Sequence, residues 1–148
     1  MALCAMMMHI PHSLDWAIGR LPVLHDGRIK PLDTLGREQL LTIQGRLRHP
    51  RELSPSAWLF ERFTVHESGQ DDAIILVEHP RLFDEINPIY RKQKYRVSES
   101  FLTEHIHTIS PFISSAEIIK KSVRTPLQSS ALTLSERYHV YRLSLIHI

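Results

Sequence analysis

LPVLHDGRIKPLDTLGRE, residues 21–38, holds two of the chain's five glycines, both its Pro22 and Pro31, and alternating charges ahead of a helical pattern. Residues 21–25 read as extended, because Pro22 biases its neighbour toward β or polyproline geometry. Asp26 and Gly27 form a turn dipeptide. Residues 28–32 run extended again as far as Pro31. Arg28 and Lys30 flank Ile29, so in an extended segment both cations project to one side. Asp33 and Thr34 are both good N-caps, and a helix is expected to start there. Gly36, Leu40, Ile43 and Leu47 then recur on one helical face. A glycine there costs about 1 kcal/mol against alanine, so its place on the apolar face points to another backbone passing close by. The stretch reads as a rigid strand-to-helix corner bearing Arg28, Lys30 and Arg37, with Asp33 available as a partner. Two uses fit it: a structural corner held by an internal Asp–Arg contact, or a docking surface.

Working outward, residues 13–19 (SLDWAIG) read as a short helix with Ser13 as cap. Ser54 caps a second helix with Pro55 at its first position, and Trp58, Leu59, Phe60 and Phe63 supply its apolar surface. Residues 67–72 form a polar loop. Residues 73–77 (AIILV) read as a short buried strand, and residues 80–86 as a short helix. Residues 90–97 (YRKQKYRV) carry four cations and suit an edge strand guarded by charge. Ser98 caps a helix with Leu102, Ile106 and Ile109 on one side. Ser114-x-x-Glu117 and Thr133-x-x-Glu136 are capping-box patterns, each expected to open a helix. The fold class expected is mainly α with a few short β-strands (α+β), in an irregular, loop-rich single domain.

The chain has 148 residues, the size of one ordinary domain. Its 18 Lys+Arg against 16 Asp+Glu leave a net charge of +2, which does not suggest a nucleic-acid binder. One cysteine, Cys4, allows no disulfide within the chain and no CxxC pair. The longest apolar run, residues 2–8 (ALCAMMM), falls far short of the roughly 20 residues of a spanning helix. Residues 1–12 are expected to be disordered, or the remnant of a hydrophobic segment that begins upstream. Residues 143–148 (LSLIHI) match the translation of a transposase adapter used in sequencing libraries (CTG TCT CTT ATA CAC ATC). The authentic sequence is therefore expected to end near Arg142, and no functional weight falls on His147. The expected domain spans residues 13–142.

Ten histidines raise metal binding. His9-x-x-His12 lacks the glutamate and spacing of HExxH. His105-x-His107 on a helix points its rings roughly 200° apart. Solvated or hydrogen-bonded histidines are the ordinary alternative. The carboxylate pairs Asp71 with Asp72 and Asp84 with Glu85 have no partner that spacing identifies, and a solvated face is the simpler reading. No GxSxG, GxGxxG or Walker pattern occurs. Arg91, Lys92, Lys94 and Arg96 could meet anionic headgroups or guard an edge strand. No catalytic, cofactor-binding or metal-binding residue is assigned from the residues alone.

The phrase GRLPVLHDGRIKPLDTLGREQLL resembles a segment of the cytochrome c biogenesis proteins of the CcsA/CcsB type (system II, ResB/ResC-like), where it commonly reads "LPV–hGGR(I/V)KPLDT–AR". SPSAWLFERF resembles the family's "eWLl" helix, AIILVEHP its "iflv–hP" segment, KQKYRVSESFLTEHI its "k–ryrys–eL" segment, and ERYHVYRL the segment before the next membrane region. The likeness spans about residues 13–142 and is most specific over residues 20–38. Matching motif positions are Gly27, Arg28, Lys30, Pro31, Asp33, Thr34 and Arg37, while Gly36 departs from the usual alanine. The resemblance implies an extracytoplasmic (periplasmic) region of a bacterial membrane protein that delivers haem and attaches it to apocytochrome c. Haem is implied for the full-length protein and none for this region. The implied partners are the rest of its own membrane protein, the cytochrome c assembly complex and apocytochrome c, with no nucleic acid. The family's haem-handling histidines and tryptophan-rich loop have no counterpart here, and Trp16 and Trp58 stand apart. The role implied is a non-catalytic scaffold or docking surface. Two alternatives are a small soluble enzyme that brings His25, Asp26 and Asp33 together, and a peripheral membrane-surface adaptor using residues 91–96.

Overall fold

The computed structural model describes residues 12–64, 72–86 and 95–143. Among the described residues the chain is mainly α-helical with two small antiparallel ladders, an α+β fold. The elements run α1 (His12–Gly19), β1 (Pro22–His25), β2 (Arg28–Pro31), α2 (Leu32–Gln44), α3 (Pro55–Thr64), β3 (Ile75–Leu76), α4 (Pro80–Ile86), β4 (Arg96–Val97), α5 (Glu99–Glu104), α6 (Ile106–Ile118) and α7 (Pro126–Leu143). A short 3-10 turn, Lys121–Val123, precedes α7.

α2 is the central helix. It packs on α3 on one side and on α7 on the other, while α1 closes over α2 and α3 and α6 lies along α7. Leu35, Leu40 and Ile43 of α2, Trp58 and Leu59 of α3, and Leu134 and Tyr141 of α7 share one buried cluster with Ile74, Ile75 and Val77. The apolar run 73–77 thus enters the core, but only Ile75–Leu76 is ladder, paired with Arg96–Val97 of β4. The other half of the basic stretch, with Arg91, Lys92 and Lys94, lies outside the described residues, as do Asp71, His9 and residues 144–148.

Local chemistry explains most element ends. The Ser54 hydroxyl accepts the Ala57 backbone N–H at 3.0 Å, the N-cap expected for α3. Asp15 of α1 accepts from the Ser54 and Ser56 hydroxyls at 2.5 and 3.0 Å, fastening α1 to that helix start. Ser98 caps α5 through the Phe101 N–H. A Cβ at Gly36 would fall 2.4 Å from the Pro55 carbonyl oxygen, so the expected close approach is that of the α3 start.

Several expectations are corrected. α2 begins at Leu32 behind Pro31, with no side-chain cap. Asp33 is already in its first turn, and its carboxylate is taken by Arg37 at 2.6 Å. α2 ends at Gln44 with Gly45 in the left-handed conformation, so Leu47 leaves the face and is 47% exposed. Ser13 lies inside α1 rather than before it. Neither later capping-box pattern opens a helix: Ser114 and Glu117 are exposed within α6, and Thr133 sits mid-α7 with its hydroxyl on the Ser129 carbonyl. α7 starts at Thr125-x-x-Gln128, where Thr125 N–H donates to Gln128 Oε1 and Gln128 N–H to Thr125 Oγ1. The helix expected after Ser98 breaks at His105, which leaves Ile106 on the next helix and 43% exposed.

Candidate functional site

The opening motif folds into a β-hairpin that runs straight into α2. β1 and β2 pair antiparallel, with Pro22 opposite Pro31, Val23 opposite Lys30, Leu24 opposite Ile29 and His25 opposite Arg28. Asp26 and Gly27 form the two-residue turn with φ of 51° and 72°. Positive φ at both positions matches the twist of the flanking strands, which is why Asp-Gly suits this place. At the base, the Leu32 N–H donates to the Leu21 carbonyl at 2.9 Å, tying the ladder to the first turn of α2.

Facing residues on an antiparallel pair share a side, and the side alternates along each strand. One side of the hairpin therefore carries Val23, His25, Arg28 and Lys30, the other Pro22, Leu24, Ile29 and Pro31. The first side includes the half-buried Val23, His25 and Lys30. Lys30 Nζ reaches Glu38 of α2 at 2.6 Å. Leu24 and Ile29 on the second side are each 76% exposed, and both prolines are exposed as well. The hairpin turns its ionic side inward and its apolar side to solvent.

The motif residues fall into three groups. Lys30, Asp33 and Arg37 are engaged in ion pairs with Glu38 or with each other, so the internal Asp–Arg contact is present. Gly27 and Pro31 shape the turn and the helix entry. Arg28 and Thr34 are exposed, and Arg28 has no ion-pair partner among the described residues. Both cations project to one side of the strand as expected, but only Arg28 remains available to a partner.

His25, Asp26 and Asp33 do not converge. His25 Nδ1 lies 3.2 Å from the Asp26 carboxylate at the exposed turn, whereas Asp33 faces Arg37. A cavity of about 210 Å³ lies between the hairpin, α2 and α7, lined by His25, Leu35, Glu38, Gln39, Thr42 and Val140. A larger, mostly apolar groove of about 360 Å³ runs between α5, α6 and α7 over Leu102, Ile106, Ile109, Ile113 and Leu134. His105 stacks on Phe101 with ring centroids 4.1 Å apart, and His107 is exposed, so this pair does not form a ligand set. Among the described residues no three His, Cys, Asp or Glu side chains are grouped to hold a metal ion. Asp84 and Glu85 are exposed on α4.

A second polar cluster was not legible in the sequence. His49 follows α2 and is 2% exposed, its ring stacked on Trp58 at 6.1 Å. Its Nδ1 accepts the Arg51 backbone N–H at 3.3 Å, and Nε2 lies 3.5 Å from Asp72, beyond good hydrogen-bond reach. Burial, with Arg51 beside it, lowers the His49 pKa to about 4. Arg51 grips Glu61 with two nitrogens, at 3.2 and 3.0 Å, and Asp72 with its Nε at 2.9 Å. Burial works against its charge, but Glu61 and Asp72 outweigh that and raise its pKa. The network pins the loop between α2 and α3; a neutral histidine whose Nδ1 accepts a backbone hydrogen bond carries its proton on Nε2 and has no free lone pair for base chemistry.

No protein-family model matches the chain, and no curated protein is significantly similar to it. Among the described residues, no helix is long and apolar enough to cross a membrane.

Proposed function

We propose that this chain is a non-catalytic extracytoplasmic domain of a bacterial cytochrome c maturation protein, serving as scaffold and docking surface beside the haem-attachment machinery. The resemblance of residues 20–38 to the CcsA/CcsB-type proteins supports the family. One observation carries the docking role: the motif residues build a single braced corner that spends Lys30, Asp33 and Arg37 on internal pairs and leaves Arg28 open. A braced corner with a free guanidinium suits a carboxylate on a neighbouring part of the assembly, because the fork needs no reorganisation to pair bidentately. Haem, supplied by the rest of the protein, has no ligand assigned here, and apocytochrome c is a partner of the whole assembly.

The test is Arg28→Glu in the full-length protein, with holocytochrome c yield measured by haem staining at equal expression. A several-fold loss is expected. Unchanged yield rejects the docking role. Lys30→Glu is a poorer probe, since it places two carboxylates together at Glu38 and disturbs the corner itself.

A further inference from the structure

The groove of about 360 Å³ between α5, α6 and α7 shares no residue with the hairpin corner or with the His49 network. Small-molecule sites hold about 300–1,000 Å³, with an apolar lining and a few polar groups. α6 supplies one wall. Ile106, Ile109 and Ile113 recur at three and four residues and so share one helical face. The break between α5 and α6 puts Ile106 on this wall, and its exposed part belongs to the groove. α7 supplies the other wall. There Leu134 stands beside a stripe of Ser135, Tyr138, His139 and Arg142, at i, i+3, i+4 and i+7.

The two ends of the groove differ. α6 and α7 are joined by a short connection and pack along each other, so they run antiparallel. Ile109, Ile113 and Leu134 make one end wholly apolar. At the other end α5 brings Thr103 and Glu99 to α7. The Thr103 hydroxyl donates to the Glu99 carbonyl at 2.9 Å, so Tyr138 donates to Thr103 Oγ1, also at 2.9 Å. Both hydroxyl protons are thereby used and the Tyr138 ring is fixed. Arg142 is different. Its guanidinium lies 5.8 Å from the Tyr138 ring centroid, and the Glu99 carboxylate approaches its Nε at 3.7 Å, beyond hydrogen-bond reach. Among the described residues Arg142 donates no hydrogen bond, which leaves its two Nη groups open to an acceptor.

An open cation at one end of an apolar groove matches an amphiphile with an anionic head. The guanidinium fork pairs bidentately with a carboxylate. Glu99 nearby would repel a phosphate of nearly two charges, so the singly charged carboxylate is the better match. Ile106 to Ile113 spans about 10 Å along α6, which suits an alkyl chain of medium length. A partner helix of that length, about 10 Å across, takes about 800 Å³, more than the groove holds.

We propose that the groove binds a medium-chain fatty acid, its chain along Ile106, Ile109, Ile113 and Leu134 and its carboxylate on Arg142. This inference stands on the groove alone and does not depend on the cytochrome c reading.

The experiment is calorimetric titration of the purified 148-residue chain with sodium decanoate and, separately, with decanol, which keeps the alkyl chain and lacks the charge. Decanoate is expected to saturate a single site, and decanol to bind at least about tenfold more weakly. Arg142→Gln should weaken decanoate binding about tenfold and leave decanol unchanged. Ile106→Glu sets a carboxylate in the groove from a partly exposed position, and should weaken both ligands at least about tenfold. Circular dichroism checks that each variant keeps its helices, and the comparison of decanoate with decanol on the wild-type chain needs no variant. Absence of saturable decanoate binding overturns the proposal, as does decanol binding as tightly as decanoate, or decanoate binding to either variant unchanged. A concentration-dependent dimer that Ile106→Glu disperses and decanoate does not also overturns it, and gives the groove to a second copy.

Discussion

A methyl group at Gly36 would sit 2.4 Å from the Pro55 carbonyl oxygen, and backbone at the start of α3 cannot yield as a side-chain tip can. Gly36→Ala is therefore expected to destabilise the fold by about 3 kcal/mol, read from the urea midpoint, even though alanine is the better helix former. Gly27→Ala should cost only about 1 kcal/mol, because its site is open and only the left-handed backbone opposes the side chain. Equal losses at the two sites would disprove the contact argument. His49 makes a pH-dependent contribution at the same scale. An unfolded histidine titrates near 6.5 and the folded His49 near 4, so between these values the unfolded chain binds a proton that the folded chain does not. Stability on this account is complete above pH 6.5, declines as pH falls, and levels off below pH 4 after a loss of up to about 3 kcal/mol. Arg51, Arg62, Glu61 and Asp72 surround the ring, so the comparison to make is wild type against His49→Gln across that window. A stability curve equally steep in the variant would remove His49 as the source.

At the scale of elements, the α7 start separates pattern from geometry. Thr125 and Gln128 exchange reciprocal bonds as a capping box, with Pro126 at the first helical position. Thr125→Ala should cost about 1 kcal/mol in thermal or urea unfolding. Thr133→Ala should be close to neutral, because Thr133 lies mid-helix and bonds back to Ser129. The reverse ranking would mean that α7 begins about two turns later in solution. All these motifs are visible in the sequence. What the pattern lacks is any indication of which caps are used, since a serine or threonine three residues before a glutamate also occurs inside helices. The Ser54 and Ser98 caps were legible because a proline or a change of periodicity stood beside them.

Over the whole molecule, one buried arginine joins elements far apart in sequence. Arg137 of α7 is 7% exposed and donates to the Thr42 carbonyl at 2.9 Å, the Leu76 carbonyl at 2.7 Å and the Glu78 carboxylate at 2.5 Å. It thus satisfies the last turn of α2 and the end of β3 together. Arg137→Met keeps the volume but orphans those acceptors, and should lower stability by about 3 kcal/mol. Amide exchange should report loosening of α2, β3 and α7 together; exchange faster in α7 alone would show that the arginine does not join them.

The sequence by itself determined the local elements of this protein: the Asp26 and Gly27 turn, the strand-to-helix corner, the Gly36 approach, the α3 and α5 starts and the extent of α4. Each depends on backbone preference or on hydrogen bonds between near neighbours, which a short window contains. Only the tertiary structure decided the rest. Val23 and Leu24 are equally apolar, so nothing in their alternation says which one the core will take. The answer came from packing: Val23 lies against the core cluster and Lys30 reaches Glu38 of α2 on the inner side, which leaves Leu24 and Ile29 outward. His49 and Arg137 were ordinary polar residues until chain packing surrounded them with Trp58, Asp72 and the carbonyls of α2 and β3. Contacts across such distances in sequence leave no period or spacing to read, because the partner is fixed by where two helices cross.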